Sequence, residues 1–127
     1  PFNIVDDPAG ISLRHTPWQL LQDDLEASVW FEIDTYWIQE GGSDPAMWID
    51  SLPGRVPAIH VKDMTMDKDA KHVMCEVGAG NLNWTAILTA AQRADVQWYL
   101  IERDDGMLDP FESLKISREN LLAMGLK

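Results

Sequence analysis

The chain has 127 residues, 46% of them hydrophobic and 24% charged, which suits one globular unit. Its formal net charge of −11 argues against nucleic acid and anionic membrane surfaces as partners, because both demand a basic face. A single cysteine, Cys75, excludes an intrachain disulfide framework and fits a reducing cytoplasm, and no apolar run approaches the roughly 18 residues of a membrane helix.

Residues 1–15 form an irregular lead-in, with Asp6-Asp7-Pro8-Ala9-Gly10 reading as a turn. Thr16-Pro17-Trp18-Gln19 is a capping-box start, with Thr16 as N-cap, and predicts a helix to about Leu25. A strand is expected over 29–34, nearly continuous in apolar residues apart from Glu32, as when both sheet faces are covered. After the Gly41-Gly42-Ser43 loop, Asp44-Pro45 caps a short helix that Pro53-Gly54 stops. A second strand is expected over 56–62, with Pro57 near its start where a missing amide matters least. A polar stretch follows from Asp63 to His72, with 67–71 read as a solvated loop; the run 73–77 is then either a short strand or an extended arm. Asn83 caps a helix with one apolar face, a third strand spans 97–102, and Asp109-Pro110-Phe111-Glu112 opens a last helix that Gly125 ends.

This strand–helix alternation predicts an α/β fold with a parallel sheet and no domain boundary. Each of the three strands ends on a side chain able to hold a metal: Asp34, His60 and Glu102. In a parallel β/α barrel such positions converge on one mouth, and Asp, His and Glu gathered there suit a divalent ion of hard to borderline character. Singly, each has an ordinary alternative: Asp34 as a loop cap, His60 as a hydrogen-bonded structural residue, Glu102 as a partner of Arg103. Three strands do not close a barrel, and the chain starts at Pro1, so it is expected to be part of a larger one.

Phe31-Glu32-Ile33-Asp34-Thr35-Tyr36-Trp37, Gly54-Arg55-Val56-Pro57-Ala58-Ile59-His60-Val61-Lys62-Asp63 and Glu76-Val77-Gly78-Ala79-Gly80-Asn81-Leu82 resemble the sugar phosphate isomerase/epimerase family of xylose isomerase-like TIM barrels. Trp98-Tyr99-Leu100-Ile101-Glu102 and Asp109-Pro110-Phe111-Glu112-Ser113-Leu114 are similar to that family's last strand and helix. The resemblance covers residues 16–127 and implies a C-terminal portion, about strands six to eight with their helices, of a TIM (β/α)8 barrel. It implies a divalent cofactor, manganese first, with magnesium, cobalt or zinc as alternatives, on Asp34, His60 and Glu102 plus a glutamate upstream of Pro1. Glu102 is then also the catalytic acid/base, moving a proton on the carbon beside a metal-polarised carbonyl. Trp37 stands three residues after Asp34, where many epimerases of this superfamily carry a second histidine, so the ketose 3-epimerase subgroup is not indicated.

Lys62 shares a face with His60 by its period-two spacing and is a candidate substrate contact, or else a salt-bridge partner of Asp63 or Glu32. Glu32 bears the same relation to Asp34, placing it beneath the metal where it orients His60 or pairs with Lys62. Trp37 and Trp84 are candidate walls for a sugar or core residues, and Glu76 is expected to line the mouth. His15, His72 and Cys75 have no assignable partner in the sequence.

The expected ligand is thus a small sugar or sugar phosphate, turned over by an isomerase or epimerase in the cytoplasm. A dehydratase on the same barrel is a close variant, and a non-catalytic oligomeric part-barrel is the alternative from a different class. Unpaired sheet edges predict a homo-oligomer or association with the missing barrel half.

Overall fold

The computed structural model describes residues 17–127, so the expectations for Thr16, His15 and the 1–15 lead-in lie outside the described residues. The elements in chain order are α1 (Pro17–Asp24), β1 (Glu32–Asp34), α2 (Thr35–Glu40), α3 (Pro45–Asp50), β2 (Ala58–Val61), β3 (Asp63–Met66), β4 (His72–Cys75), α4 (Trp84–Arg93), β5 (Trp98–Ile101) and α5 (Pro110–Ala123). Strands β1, β2 and β5 form a parallel sheet in that order, with β2 central. The fold is α/β, as the alternation predicts.

One sheet face is buried. Ile33, Ile59 and Val61 point into a core shared with Ile49, Ile87 and Ala90, all almost inaccessible to water. The opposite face is open. Glu32 and Asp34 stand level with Ala58 and His60, and these with Trp98 and Leu100, so in a parallel ladder they share that face. Trp98 is 68% exposed there.

The first strand is shorter than expected, and the reason is local. The Arg55 guanidinium donates to the carbonyls of Gln22, Leu25, Glu26 and Val29 at 3.2–3.4 Å, holding the α1–β1 connection as an irregular loop. Pro57, next to the start of β2, has no N–H with which to lengthen the ladder. The second strand is also divided. Val61 ends the parallel ladder, and Asp63–Met66 turns away to pair antiparallel with His72–Cys75. The run 73–77 is therefore largely strand, and 67–71 is the hairpin tip, where Asp67 accepts N–H bonds from Asp69 and Lys71.

Helix α2 has no counterpart in the sequence expectations, which pass from Asp34 to the glycine loop. Asp34 both ends β1 and caps α2, its Oδ1 accepting the Trp37 N–H at 2.9 Å. The other caps are as read: Asp44 on α3, Asn83 on α4 and Asp109 on α5. Among the described residues, no helix is long and apolar enough to cross a membrane.

Candidate functional site

The register of the parallel sheet creates the site. Asp34 and His60 are paired positions on β1 and β2, and Glu102 lies two residues beyond Leu100, the β5 position level with His60. All three sit at the C-terminal ends of neighbouring strands and on the open face. Thr35, fully buried, pins the ends together: its Oγ1 accepts the Lys62 N–H at 2.9 Å and lies 3.1 and 2.8 Å from the His60 and Lys62 carbonyls.

His60 Nδ1 lies 2.8 Å from Glu102 Oε2 and 3.4 Å from Asp34 Oδ2, while Nε2 lies 3.0 Å from Glu32 Oε1. One ligand atom from each of Asp34, His60 and Glu102 falls within 4.8 Å of the other two. That is close to the roughly 4.4 Å separation that two ligands about 2.2 Å from a shared ion permit. The donor set, two carboxylates and an imidazole, suits a divalent cation, and Glu32 supports the ring's other nitrogen as outer partners of ligating histidines do.

Lys62 supplies the ammonium of the cluster. Only 2% of its side chain is exposed, and Nζ sits 2.8 Å from Glu102 Oε2, 3.2 Å from Asp34 Oδ2 and 2.8 Å from Asp104 Oδ2. Burial works to depress its pKa, yet the hydrogen bonds it donates to Asp104, Glu102 and Asp34 outweigh it and hold the ammonium above the usual lysine range. The Trp37 ring lies 5.9 Å from Nζ, a cation–π distance. A cavity of about 460 Å³ opens beside Glu102 and Asp104, with Ile101, Leu108, Pro110 and Leu114 as its apolar wall.

The structure thus brings together Asp34, His60, Glu102, Glu32, Lys62 and Trp37. Glu32 contacts His60 rather than Lys62, and Glu102 contacts His60 and Lys62 rather than Arg103. Glu76 stands apart. It is bound by Arg103 Nη1 at 2.6 Å and by Ser113 Oγ at 2.9 Å, and it lines a separate cleft of about 560 Å³ with Tyr36, Cys75 and His72. Burial pushes Glu76 upward, but hydrogen bonds from its own N–H and Ser113 and the Arg103 guanidinium keep it below the usual glutamate range. Of the two candidate wall residues, Trp84 is core: it is buried, and its indole N–H is taken by Asp63. His72 pairs with Glu40 at 2.6 Å, and burial pushes the Cys75 thiol up to about 12.

Two carboxylates carry more than the sequence signals. Asp104 reads there as part of a loop, yet it is a direct partner of the buried Lys62, whose ammonium holds it below the usual aspartate range. Asp63 is fully buried and accepts five hydrogen bonds, from the N–H groups of Met64, Gly78, Gly80 and Leu82 and from the Trp84 indole. It gathers the 78–82 loop and the start of α4 against the end of β2.

No family model matches the chain, and no curated protein sequence matches it. Solved structures do. The chain is similar to a sugar phosphate isomerase/epimerase from Parabacteroides distasonis ATCC 8503, with a TM-score of 0.66 and 25% identity over 94% of this chain. A second structure of that description from the same organism matches at a TM-score of 0.66 and 22% identity over 88% of this chain. The chain spans 38% of the length of each. The resemblance read from five sequence segments is found again in three dimensions.

Proposed function

We propose that this chain carries the metal-binding end of a sugar or sugar phosphate isomerase/epimerase, built as a xylose isomerase-like TIM barrel of which it supplies strands six to eight. The supporting observation is the convergence of Asp34, His60 and Glu102 at the C-terminal ends of three adjacent parallel strands, the end at which barrels of this kind keep their chemistry. These three residues hold a divalent cation, manganese first, with a glutamate from outside the chain as the fourth ligand.

When bound, the cation polarises the substrate carbonyl and stabilises the negative charge that develops on its oxygen. Glu102 takes the proton from the carbon beside that carbonyl; it returns the proton on the same face to the former carbonyl carbon in an isomerisation, whereas an epimerisation takes its new proton from a second carboxylate, the upstream glutamate, on the opposite face. Its carboxylate is oriented by Lys62 Nζ, 2.8 Å from Oε2. Glu32 fixes the His60 imidazole at Nε2. Lys62 is buried and charged, its three N–H groups on Asp34, Glu102 and Asp104, so a substrate oxygen reaches it by replacing the exposed Asp104, with the Trp37 ring 5.9 Å away.

The test is a titration of the full-length protein with Mn(II), followed by electron paramagnetic resonance, and an assay for solvent deuterium entering ketose substrates by proton NMR. One tight site per chain and deuterium at the carbon beside the carbonyl are expected, with Glu102→Gln losing the exchange while keeping the fold. A protein that binds no divalent ion at micromolar concentrations would falsify this reading.

A further inference from the structure

We infer that Asp104 is a specificity-determining residue that selects an unphosphorylated sugar and disfavours a phosphate ester at this mouth, with Trp37 covering either ligand. This rests on the sugar isomerase reading above and narrows its substrate class.

The first ground is charge. The ion-pair network around His60 and Lys62 contains four carboxylates, Glu32, Asp34, Glu102 and Asp104, against one ammonium. A divalent cation added to Lys62 supplies three positive charges, so the network stays negative even when loaded. The next guanidinium along the chain, Arg103, is committed to Glu76 and Ser113. A phosphate dianion brought here meets like charge in a partly dry site, where such juxtaposition is most costly.

The second ground is the form of the wall. Lys62 Nζ is the hinge between two exposed groups, lying 2.8 Å from Asp104 Oδ2 and 5.9 Å from the Trp37 ring centroid. Asp104 is 46% exposed and Trp37 54% exposed, so both present surface to a ligand. A carboxylate beside an indole face matches a neutral sugar: the carboxylate accepts hydroxyl protons while the ring covers the C–H face. With Asp104 in place, Lys62 is neutralised from the solvent side. Without it, the same ammonium is the natural anchor for a phosphate.

The experiment is calorimetric titration of the Mn(II)-loaded full-length protein with D-fructose and with D-fructose 6-phosphate, repeated on Asp104→Asn and Trp37→Ala. Wild type is expected to bind the free ketose about tenfold more tightly than its phosphate ester, and Asp104→Asn to erase that preference, one like charge having been removed. Trp37→Ala is expected to weaken both ligands alike. Circular dichroism and retained Mn(II) binding show that the Asn variant is folded and loaded. A wild type that prefers the phosphate ester, or a preference unmoved by Asp104→Asn, overturns the inference while leaving the metal reading intact. Mn(II) binding without affinity for either ligand does the same; absence of Mn(II) binding overturns both.

Discussion

Asp63 Oδ2 accepts the Trp84 indole N–H at 2.6 Å, in a place where Asp63 is fully buried and Trp84 nearly so. A carboxylate one residue beyond Lys62 thereby fixes the first residue of α4. Four backbone N–H groups converge on the same carboxylate, so it behaves as the nucleus of a small polar core rather than as a surface charge. Removing it by Asp63→Ala strands five donors and is expected to destabilise the protein by at least about 3 kcal/mol. Trp84→Phe removes one donor and is expected to cost about 1–3 kcal/mol. Gly80→Ala should resemble the first of these, because a Cβ there would come within 2.4 Å of both Asp63 Oδ1 and the Met64 carbonyl. Urea unfolding followed by tryptophan fluorescence measures all three; equal midpoints for wild type and Asp63→Ala would refute the account.

Glu32 touches only the far nitrogen of His60, so its contribution to metal binding is indirect. Glu32→Gln should weaken Mn(II) binding by about 10–100-fold. His60→Ala should abolish it. The ordering is what matters: a Glu32 variant weaker than the His60 variant would make Glu32 itself a ligand.

The Glu76–Arg103–Ser113 contact gives a pH signature. Glu76 titrates lower in the folded chain than its ordinary value of 4.5. The folded state therefore favours the carboxylate, and the stabilisation is fully present above that value and is lost as the pH falls through the depressed folded value. Glu76→Gln should lower the urea midpoint at pH 7 and bring it progressively closer to wild type on acidification below about 4.5. A gap that stays constant from pH 7 to pH 3 would contradict the assignment.

Trp98 at 68% exposure, Trp30 at 67% and Leu100 at 44% sit on or beside the open sheet, whose outer strands β1 and β5 each have one edge that is unpaired among the described residues. Such edges template pairing with another chain. The 127-residue chain produced alone is expected to be a dimer or larger by light scattering, at or above twice its 14.4 kDa. A monodisperse monomer would remove both the part-barrel oligomer and the need for a missing barrel half.

Much of this architecture is legible in the sequence, for identifiable reasons. Asp34, His60 and Glu102 each close an apolar run, and strand periodicity carries them to one face once the register is parallel. Helix α2 is hidden because Thr35, Tyr36, Trp37 and Ile38 are β-branched or aromatic and favour strands, and because its cap is the same residue that ends the strand before it. The β3–β4 hairpin is hidden because Met64, Met66 and Met74 give no clean alternation beside Thr65 and Val73. Asp63 and Asp104 look like ordinary charges in one dimension. Apart from Met64 next to Asp63, their partners lie 15–21 and 42 residues away, and only the folded chain supplies them.

Asp34 spends its two oxygens on different neighbours: Oδ1 on the Trp37 amide, and Oδ2 on His60 and Lys62. The backbone of α2 is consequently wired to the charge state of the cluster. Drawing electron density toward Oδ2 weakens Oδ1 as an acceptor, and the Trp37 amide resonance should move upfield as the site fills. The protein thus contains its own reporter group, readable in a two-dimensional spectrum with a diamagnetic ion such as Mg(II), with no label attached.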